Sequence, residues 1–255
     1  MSDIADRLIA AARKVSRAVV RLRFRAPVAN VYNPLDYAWA AHEAYIRRFG
    51  ATRKRVLFLG MNPGPHGMMQ TGVPFGEIAA VRDWMGIIAA VRQPDSAHAK
   101  LPVNGFAHAR SEVSGRRLWG LFAQRFGAAT NFFAEHYVAN YCPLGFISAT
   151  GANLTPDKLR SAETGPLFGA CDEHLREVEA ALRPEWVVGV GGFAADRAVE
   201  VLAESGARFG RILHPSPANP AAQVDWGGTA TRQLRELGVW ETGVTSPKFF
   251  RAVRP

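Results

Sequence analysis

The stretch 54–76 constrains the fold of this 255-residue chain more than any other. It begins with a short apolar run, 56–59, between basic residues and a glycine, which is typical of a buried strand. Glycine and proline then recur so often that neither a strand nor a helix can continue. Methionine, valine and phenylalanine are interleaved with them. Such a stiff, apolar loop suits the wall of a small pocket at a strand end, or a rigid connection that carries side chains into the core.

Strand and helix patterns alternate along the rest of the chain. The predicted strands are 56–59, 136–144, 186–190 and 211–213. The predicted helices are 3–22, 33–48, 78–91, 167–182, 193–204 and 229–237, with one helix capped by Ser114 and another started by Thr155-Pro156-Asp157. This alternation predicts an α/β fold with a parallel, doubly wound sheet. Asn62, Asn140 and His214 fall at or near strand ends, the edge where such sheets bind ligands.

The charge of the chain favours a polyanionic partner. The formal net charge is +9 and the isoelectric point is near 10.1. Residues 1–25 carry a net +5, so the remaining residues are only mildly basic. We therefore separate a basic amphipathic helix in 1–25 from a single domain over 26–255. That helix either packs on the domain with a solvated basic face or contacts phosphates as an arm.

Other classes of protein fit the composition poorly. No apolar run approaches the length that spans a membrane. Two cysteines fit a reducing cytoplasm and are too few for an iron–sulfur cluster. Asp3 and Asp6 argue against a transit peptide, so we expect a bacterial-type cytosolic protein without a targeting signal. His214 has no second His or Cys at ligand spacing, so no metal site is predicted. His66 is interpreted as a surface residue of the loop.

One glycine-rich turn resembles a dinucleotide site. Gly189-Val190-Gly191-Gly192-Phe193-Ala194 fits G-x-G-x-x-A between a predicted strand and a predicted helix. No acidic residue ends a following strand at the usual offset, and Arg208 lies there instead. We favour a tight strand-to-helix turn, with a nucleotide-dependent enzyme as the alternative.

Several motifs occur together in one order. The first comprises Gly60-Met61-Asn62-Pro63-Gly64-Pro65 and Gln70-Thr71-Gly72-Val73-Pro74-Phe75-Gly76, and the last is His214-Pro215-Ser216-Pro217-Ala218-Asn219-Pro220. Between them lie Ser111-Glu112-Val113-Ser114-Gly115, Asn140-Tyr141-Cys142-Pro143-Leu144, Asn153-Leu154-Thr155-Pro156 and Val187-Val188-Gly189-Val190-Gly191. The set resembles the single-strand-selective monofunctional uracil-DNA glycosylases, from about residue 33 to about residue 238. Several matches in order are far more specific than one short motif.

The resemblance implies a three-layer α/β fold, with a central four-stranded parallel sheet flanked by helices. It also implies that Asn62 orients the attacking water, because an amide cannot accept its proton at neutral pH. His214 would stabilise the uracil anion by donating to O2. Asn140 would read N3–H and O4, and Phe75 would stack on the base. The remaining substrate-binding residues implied are Met61, Gly64 and Met68, the last two at the C5 edge.

The same resemblance implies a DNA partner, single-stranded and in some contexts duplex. Uracil and 5-hydroxymethyluracil are the expected bases, the chain is expected to act as a monomer, and no cofactor is expected. The implied DNA-inserting loop is Pro215, Ser216, Pro217, Ala218 and Asn219. Animal members of the family carry Arg where this chain has Ala218, so we expect weak insertion into duplex DNA. No lysine is placed as a Schiff-base nucleophile, which predicts a monofunctional enzyme that leaves an abasic site. A non-catalytic binder of damaged DNA is the alternative.

Overall fold

A computed structural model describes residues 4–241. The strands are β1 Val28–Tyr32, β2 Val56–Gly60, β3 His136–Asn140, β4 Gly145–Ser148, β5 Asn153–Leu154, β6 Trp186–Val190 and β7 Arg208–Ile212. The helices are α1 Ile4–Val19, α2 Pro34–Tyr37, α3 Trp39–Phe49, α4 Met68–Thr71, α5 Val113–Phe126, α6 Ala129–Glu135, α7 Ser161–Leu182, α8 Gly192–Leu202 and α9 Ala221–Glu236. Short turns of other helix types are Ala80–Trp84, Gly105–Ala107 and Pro156–Lys158. Within these residues no helix is long and apolar enough to cross a membrane.

The central sheet confirms the predicted α/β fold. Its four strands are parallel and lie in the order β3-β2-β6-β7, with helices packed around them. β2, β3 and β6 are buried along their whole length, as the apolar runs of β2 and β6 predict. The chain runs from β2 outward to β3, then back past β2 to β6 and β7. Strand order therefore reverses beside β2, where such sheets form a crevice at their carboxyl edge.

A second sheet was not predicted. It is antiparallel and has the order β1-β4-β5, with Tyr32 of β1 opposite Gly145 of β4. The predicted strand 136–144 consequently ends at Asn140, and a new strand begins after Pro143 and Leu144. Proline cannot donate a ladder hydrogen bond, which explains why the apolar run does not form one continuous strand.

Two predicted helices were wrong in extent. The helix over 33–48 is interrupted at Ala38, whose backbone is non-helical where it packs under Gly72. The helix over 78–91 ends at Trp84 with the wide turn Ala80–Trp84, because Gly86 takes a left-handed φ of 65°. Tertiary contact and a glycine conformation thus override the apolar periodicity.

Two predicted helix starts were also wrong. Ser114 lies inside the first turn of α5, and the cap is Glu112, whose side chain accepts a hydrogen bond from the Gly115 N–H. The segment after Thr155 makes only a single 3₁₀ turn, and α7 begins later, at Ser161. Pro166 lies inside α7, in its second turn, where it removes one backbone hydrogen bond of the helix.

Helix α1 packs on the domain and shares its core. Leu8, Ala12 and Val15 are buried in the same cluster as the central sheet, mainly against α7. Two of its basic side chains make the following intramolecular contacts: Lys14 pairs with acids of α7 at 2.6–2.7 Å, and Arg13 lies 3.4 Å over the Trp39 ring. Packing therefore explains the amphipathic pattern of this helix.

The turn 189–194 brings β6 unusually close to α8. A side chain at Gly189 would overlap the backbone of Ala195. Gly191 has a φ of 96° and lies against His214. A methyl group added at Gly191 would lie 3.1 Å from the His214 Cβ. These glycines therefore allow strand, helix and histidine to approach one another, which favours the tight turn over a dinucleotide site.

Replacing Gly189 by alanine should destabilise the protein by about 1–3 kcal/mol, because the new methyl group meets backbone that cannot move aside cheaply. The matched control is Gly120→Ala in α5, where an added methyl group contacts nothing within 4 Å. That change should stabilise by about 0.5–1 kcal/mol. Denaturant unfolding of both variants measures the difference. Equal stabilities would contradict the close packing of β6 on α8.

Candidate active site

An open pocket of about 380 Å³ lies at the carboxyl edge of the parallel sheet. This volume is typical of a small-ligand site. The predicted site residues that line it are Met61, Asn62, Gly64, Phe75, Asn140, His214, Ser216 and Pro217. Side chains far apart in the sequence meet here because β2, β3 and β7 all end at this edge.

Asn140 is the last residue of β3, and one end of its side-chain amide already has a hydrogen-bond partner. Its Nδ2 donates to the Met68 sulfur at 3.2 Å. A thioether accepts and cannot donate, so the NH₂ group faces the sulfur. The amide oxygen is buried and has no hydrogen-bond partner among the described residues. Leaving such an acceptor unpaired costs about 1–3 kcal/mol, and a ligand that donates to it would recover that energy.

Asn62 is oriented in the same way. It follows β2, and its Nδ2 donates to the Leu144 carbonyl at 3.2 Å. This contact uses the NH₂ group and leaves the amide oxygen as the free acceptor of the side chain. An oxygen in that state can hold and orient a water molecule but cannot remove its proton.

His214 lies just beyond β7 and carries a defined proton. The Ser216 N–H donates to its Nδ1 at 3.1 Å, so Nδ1 is unprotonated. Burial lowers the pKa of His214 to about 4, which keeps the ring neutral at pH 7. A neutral ring with a bare Nδ1 must carry its hydrogen on Nε2. His214 is therefore a neutral hydrogen-bond donor at the pocket.

Phe75 is held in a strained conformation beside these groups. It takes a left-handed φ of 50°, which costs a residue with a side chain about 1–3 kcal/mol. The Trp119 indole N–H donates to its carbonyl at 2.9 Å, and Gly115 leaves room for that carbonyl. The ring is tilted 41° to the His214 ring at a centroid distance of 6.2 Å. The strain thus places an aromatic face in the pocket wall.

The other predicted residues lie around this centre. Met68 is buried behind Asn140 and does not line the open pocket. Pro215 is buried and its carbonyl accepts from Arg117 at 2.8 Å, which ties the loop to α5. Ala218 is exposed, and Asn219 caps the following turn by accepting from the Ala221 N–H.

Other residues of the pocket lining were not predicted as site residues, among them Glu112, His66 and Arg110. Glu112 lines the pocket with its carboxyl against Gly64 and Gly67, and burial, with the Glu77 charge, raises its pKa to about 7. His66 was interpreted as a surface residue, but it is half-buried in the pocket wall. Glu112 lies within the motif 111–115, so the sequence did indicate that this segment belongs near the site. Nothing in the local sequence of His66 showed that a distant loop would cover it.

Comparison with known proteins identifies the family. The sequence model of the uracil DNA glycosylase superfamily matches residues 47–236. The chain is 44% identical over 221 residues to the single-strand selective monofunctional uracil DNA glycosylase of Bos taurus, covering 86% of this chain and 81% of that protein. Its identity to the Rattus norvegicus protein of that name is 44% over 228 residues, covering 89% and 82%. This chain belongs to the single-strand selective monofunctional uracil-DNA glycosylase family.

The fold of a solved structure agrees with this family. Wild-type SMUG2 of Pedobacter heparinus superposes with a TM-score of 0.70 at 20% sequence identity. The match covers 94% of this chain and 98% of that structure. At this identity the likeness shows the glycosylase fold alone.

The protonation state of His214 can be measured directly. Nitrogen-15 NMR of the histidine rings should show His214 neutral, with hydrogen on Nε2, from pH 8 down to about pH 5. Because its folded pKa lies below the usual value, the ring should charge only near pH 4. His98, a partly exposed histidine outside the pocket, provides a comparison within the same spectrum. A doubly protonated His214 ring at pH 7 would contradict the assignment.

Proposed function

We propose that this chain flips uracil out of DNA and hydrolyses its N-glycosidic bond, leaving an abasic site. The observation that carries the proposal is the state of three pocket groups. Asn140 and Asn62 each have one amide end tied and an oxygen left free, while His214 has its acceptor tied and a donor left free. The free atoms are two acceptors and one donor around an aromatic wall.

These groups match the edges of uracil. The unpaired oxygen of Asn140 would accept from N3–H, and the second hydrogen of its NH₂ would donate to O4. Cytosine presents the opposite pattern there and would require an inverted amide. Met68 opposes this inversion, because its thioether sulfur has no hydrogen to donate to an amide oxygen. The Phe75 ring would stack on the flipped base.

The bond is then cleaved by a dissociative route. The N1–C1′ bond breaks first, its electron pair leaves with uracil, and the sugar becomes an oxocarbenium ion. The His214 Nε2–H donates to O2, where negative charge develops, which is electrostatic stabilisation of the transition state. Water held by the Asn62 oxygen adds to C1′, and its proton is taken up by the departing uracil anion. No protein group needs to remove that proton.

The strand preference follows from the loop 214–220. Reaching the pocket requires the base to leave its stack, at a cost of a few kcal/mol. Pro217 and Ala218 are exposed on this loop, and neither offers a long side chain to fill the gap. We therefore infer a preference for single-stranded DNA, or for U·G over U·A pairs.

We include 5-hydroxymethyluracil among the substrates, because Gly64 adds no side chain to the pocket wall.

The setting of the reaction is also inferred. All the groups invoked come from one copy of the chain, so a monomer suffices. Cys142 and Cys171 are free and buried, which suits a reducing cytosol.

Release of uracil from oligonucleotides tests the proposal. The native chain should release uracil and 5-hydroxymethyluracil from single-stranded DNA, and alkaline strand scission then reveals the abasic sites. His214→Ala should lower the single-turnover rate roughly 10²–10³-fold while binding of an abasic product changes much less. His98→Ala is the matched control outside the pocket and should cleave normally.

Two outcomes would contradict the proposal. Binding of uracil-DNA without release of base by the native chain would make the protein a non-catalytic binder of damaged DNA. Near-normal cleavage by His214→Ala would remove His214 from the chemistry.

A further inference from the structure

Two histidines from separate loops meet at the pocket. His66 follows β2, and His108 lies in the long connection before α5. His66 Nδ1 lies 3.0 Å from His108 Nε2, and the rings are nearly parallel, with centroids 5.2 Å apart and an interplanar angle of 14°. One hydrogen must lie between those two nitrogens. The mechanism above uses neither residue.

The two ring nitrogens that do not join this histidine pair have no hydrogen-bond partner among the described residues. His108 Nδ1 is buried without a hydrogen bond, and His66 Nε2 makes none among the described residues. A neutral pair has two hydrogens, so one of these two nitrogens carries an N–H and the other is bare. Adding one proton gives the pair a positive charge, so an anion nearby would favour the protonated pair.

A permanent positive charge lies beside the pair. Arg110 is exposed, lines the same pocket, and has no hydrogen bond or ion pair among the described residues. The lining of the same pocket also contains Glu112, whose pKa is raised by burial to about 7 and whose carboxyl lies against Gly64 and Gly67, which flank His66 in the sequence. Burial, the Arg110 charge and His108 together lower the pKa of His66 to about 4. Burial and Arg110 also lower the pKa of His108.

We propose that Arg110 and the His66–His108 pair bind a backbone phosphodiester of the DNA strand beside the flipped nucleotide. This rests on the proposed function. A base that reaches Asn140 remains joined to two phosphodiesters, which must stay at the pocket mouth. An unpaired guanidinium suits a phosphate oxygen there. The phosphate would offset the field of Arg110, and the pair would then take up a proton.

Binding to uncleavable DNA tests the subsite separately from catalysis. The probe is a fluorescent single-stranded oligonucleotide with a tetrahydrofuran abasic site, and the readout is anisotropy of the full chain at several salt concentrations. Arg110→Ala should weaken binding several-fold and reduce the slope of log affinity against log salt by about 0.7, the value for one phosphate contact on a single strand. Arg110→Lys should retain the slope.

The matched control is Arg53→Ala. Arg53 is also exposed and has no ion pair among the described residues, but it precedes β2, at the opposite edge of the sheet. Removing the Arg53 side chain should change the slope of log affinity against log salt by much less than the value for one phosphate contact. Equal slopes for the Arg110→Ala and Arg53→Ala variants would overturn the proposal.

The pH dependence tests the histidine pair. Native affinity should rise as the pH falls from 7.5 to 5.5, because binding takes up a proton. His66→Phe keeps a ring against His108 but removes the shared hydrogen bond, so its affinity should rise less. Superimposable pH profiles would exclude the pair from the subsite. If the native chain releases no uracil, the proposed function fails instead, whatever these slopes show.

Discussion

The site depends on the register of two neighbouring parallel strands. Gly60, at the end of β2, lies opposite Asn140, at the end of β3. A side chain at position 60 would overlap the Asn140 oxygen and come within 2.5 Å of the Phe75 ring. The amide and the aromatic face can therefore occupy adjacent positions only because residue 60 is glycine. Any larger residue there would displace one of the two groups that contact the base in the proposed complex.

The pocket is built before a ligand enters it. Each polar group has one atom fixed by the protein, so its free atom has a defined role as donor or acceptor. The unpaired oxygen of Asn140 and the left-handed backbone of Phe75 each carry a cost. The packing of Phe75 against α5, through Trp119 and Gly115, stabilises that arrangement. Preorganisation of this kind is what electrostatic stabilisation of a developing anion requires.

The sequence predicted the elements of the site better than its surroundings. The parallel sheet and the placement of Asn62, Asn140 and His214 at strand ends follow from local apolar runs and their breaks. The antiparallel sheet, the break at Ala38 and the turn at Gly86 depend on tertiary contacts or on a glycine conformation that periodicity does not report. The motifs indicated eight of the residues that line the pocket, but not His66, Arg110 or Glu112 as site residues. They could not show which atom of each amide or ring is free, since that depends on partners such as Met68 and Leu144.

The central claim is that the oriented amide of Asn140 selects the base. Asn140→Asp removes the NH₂ group that faces Met68 and O4 and leaves acceptors only. The most direct measurement compares single-turnover release of uracil and cytosine from single-stranded DNA by the native chain, by Asn140→Asp and by Asn131→Asp, an exposed control outside the pocket. The account predicts that Asn140→Asp loses most uracil release and gains detectable cytosine release, while Asn131→Asp keeps the native selectivity. Unchanged uracil rates and unchanged selectivity in Asn140→Asp would contradict it.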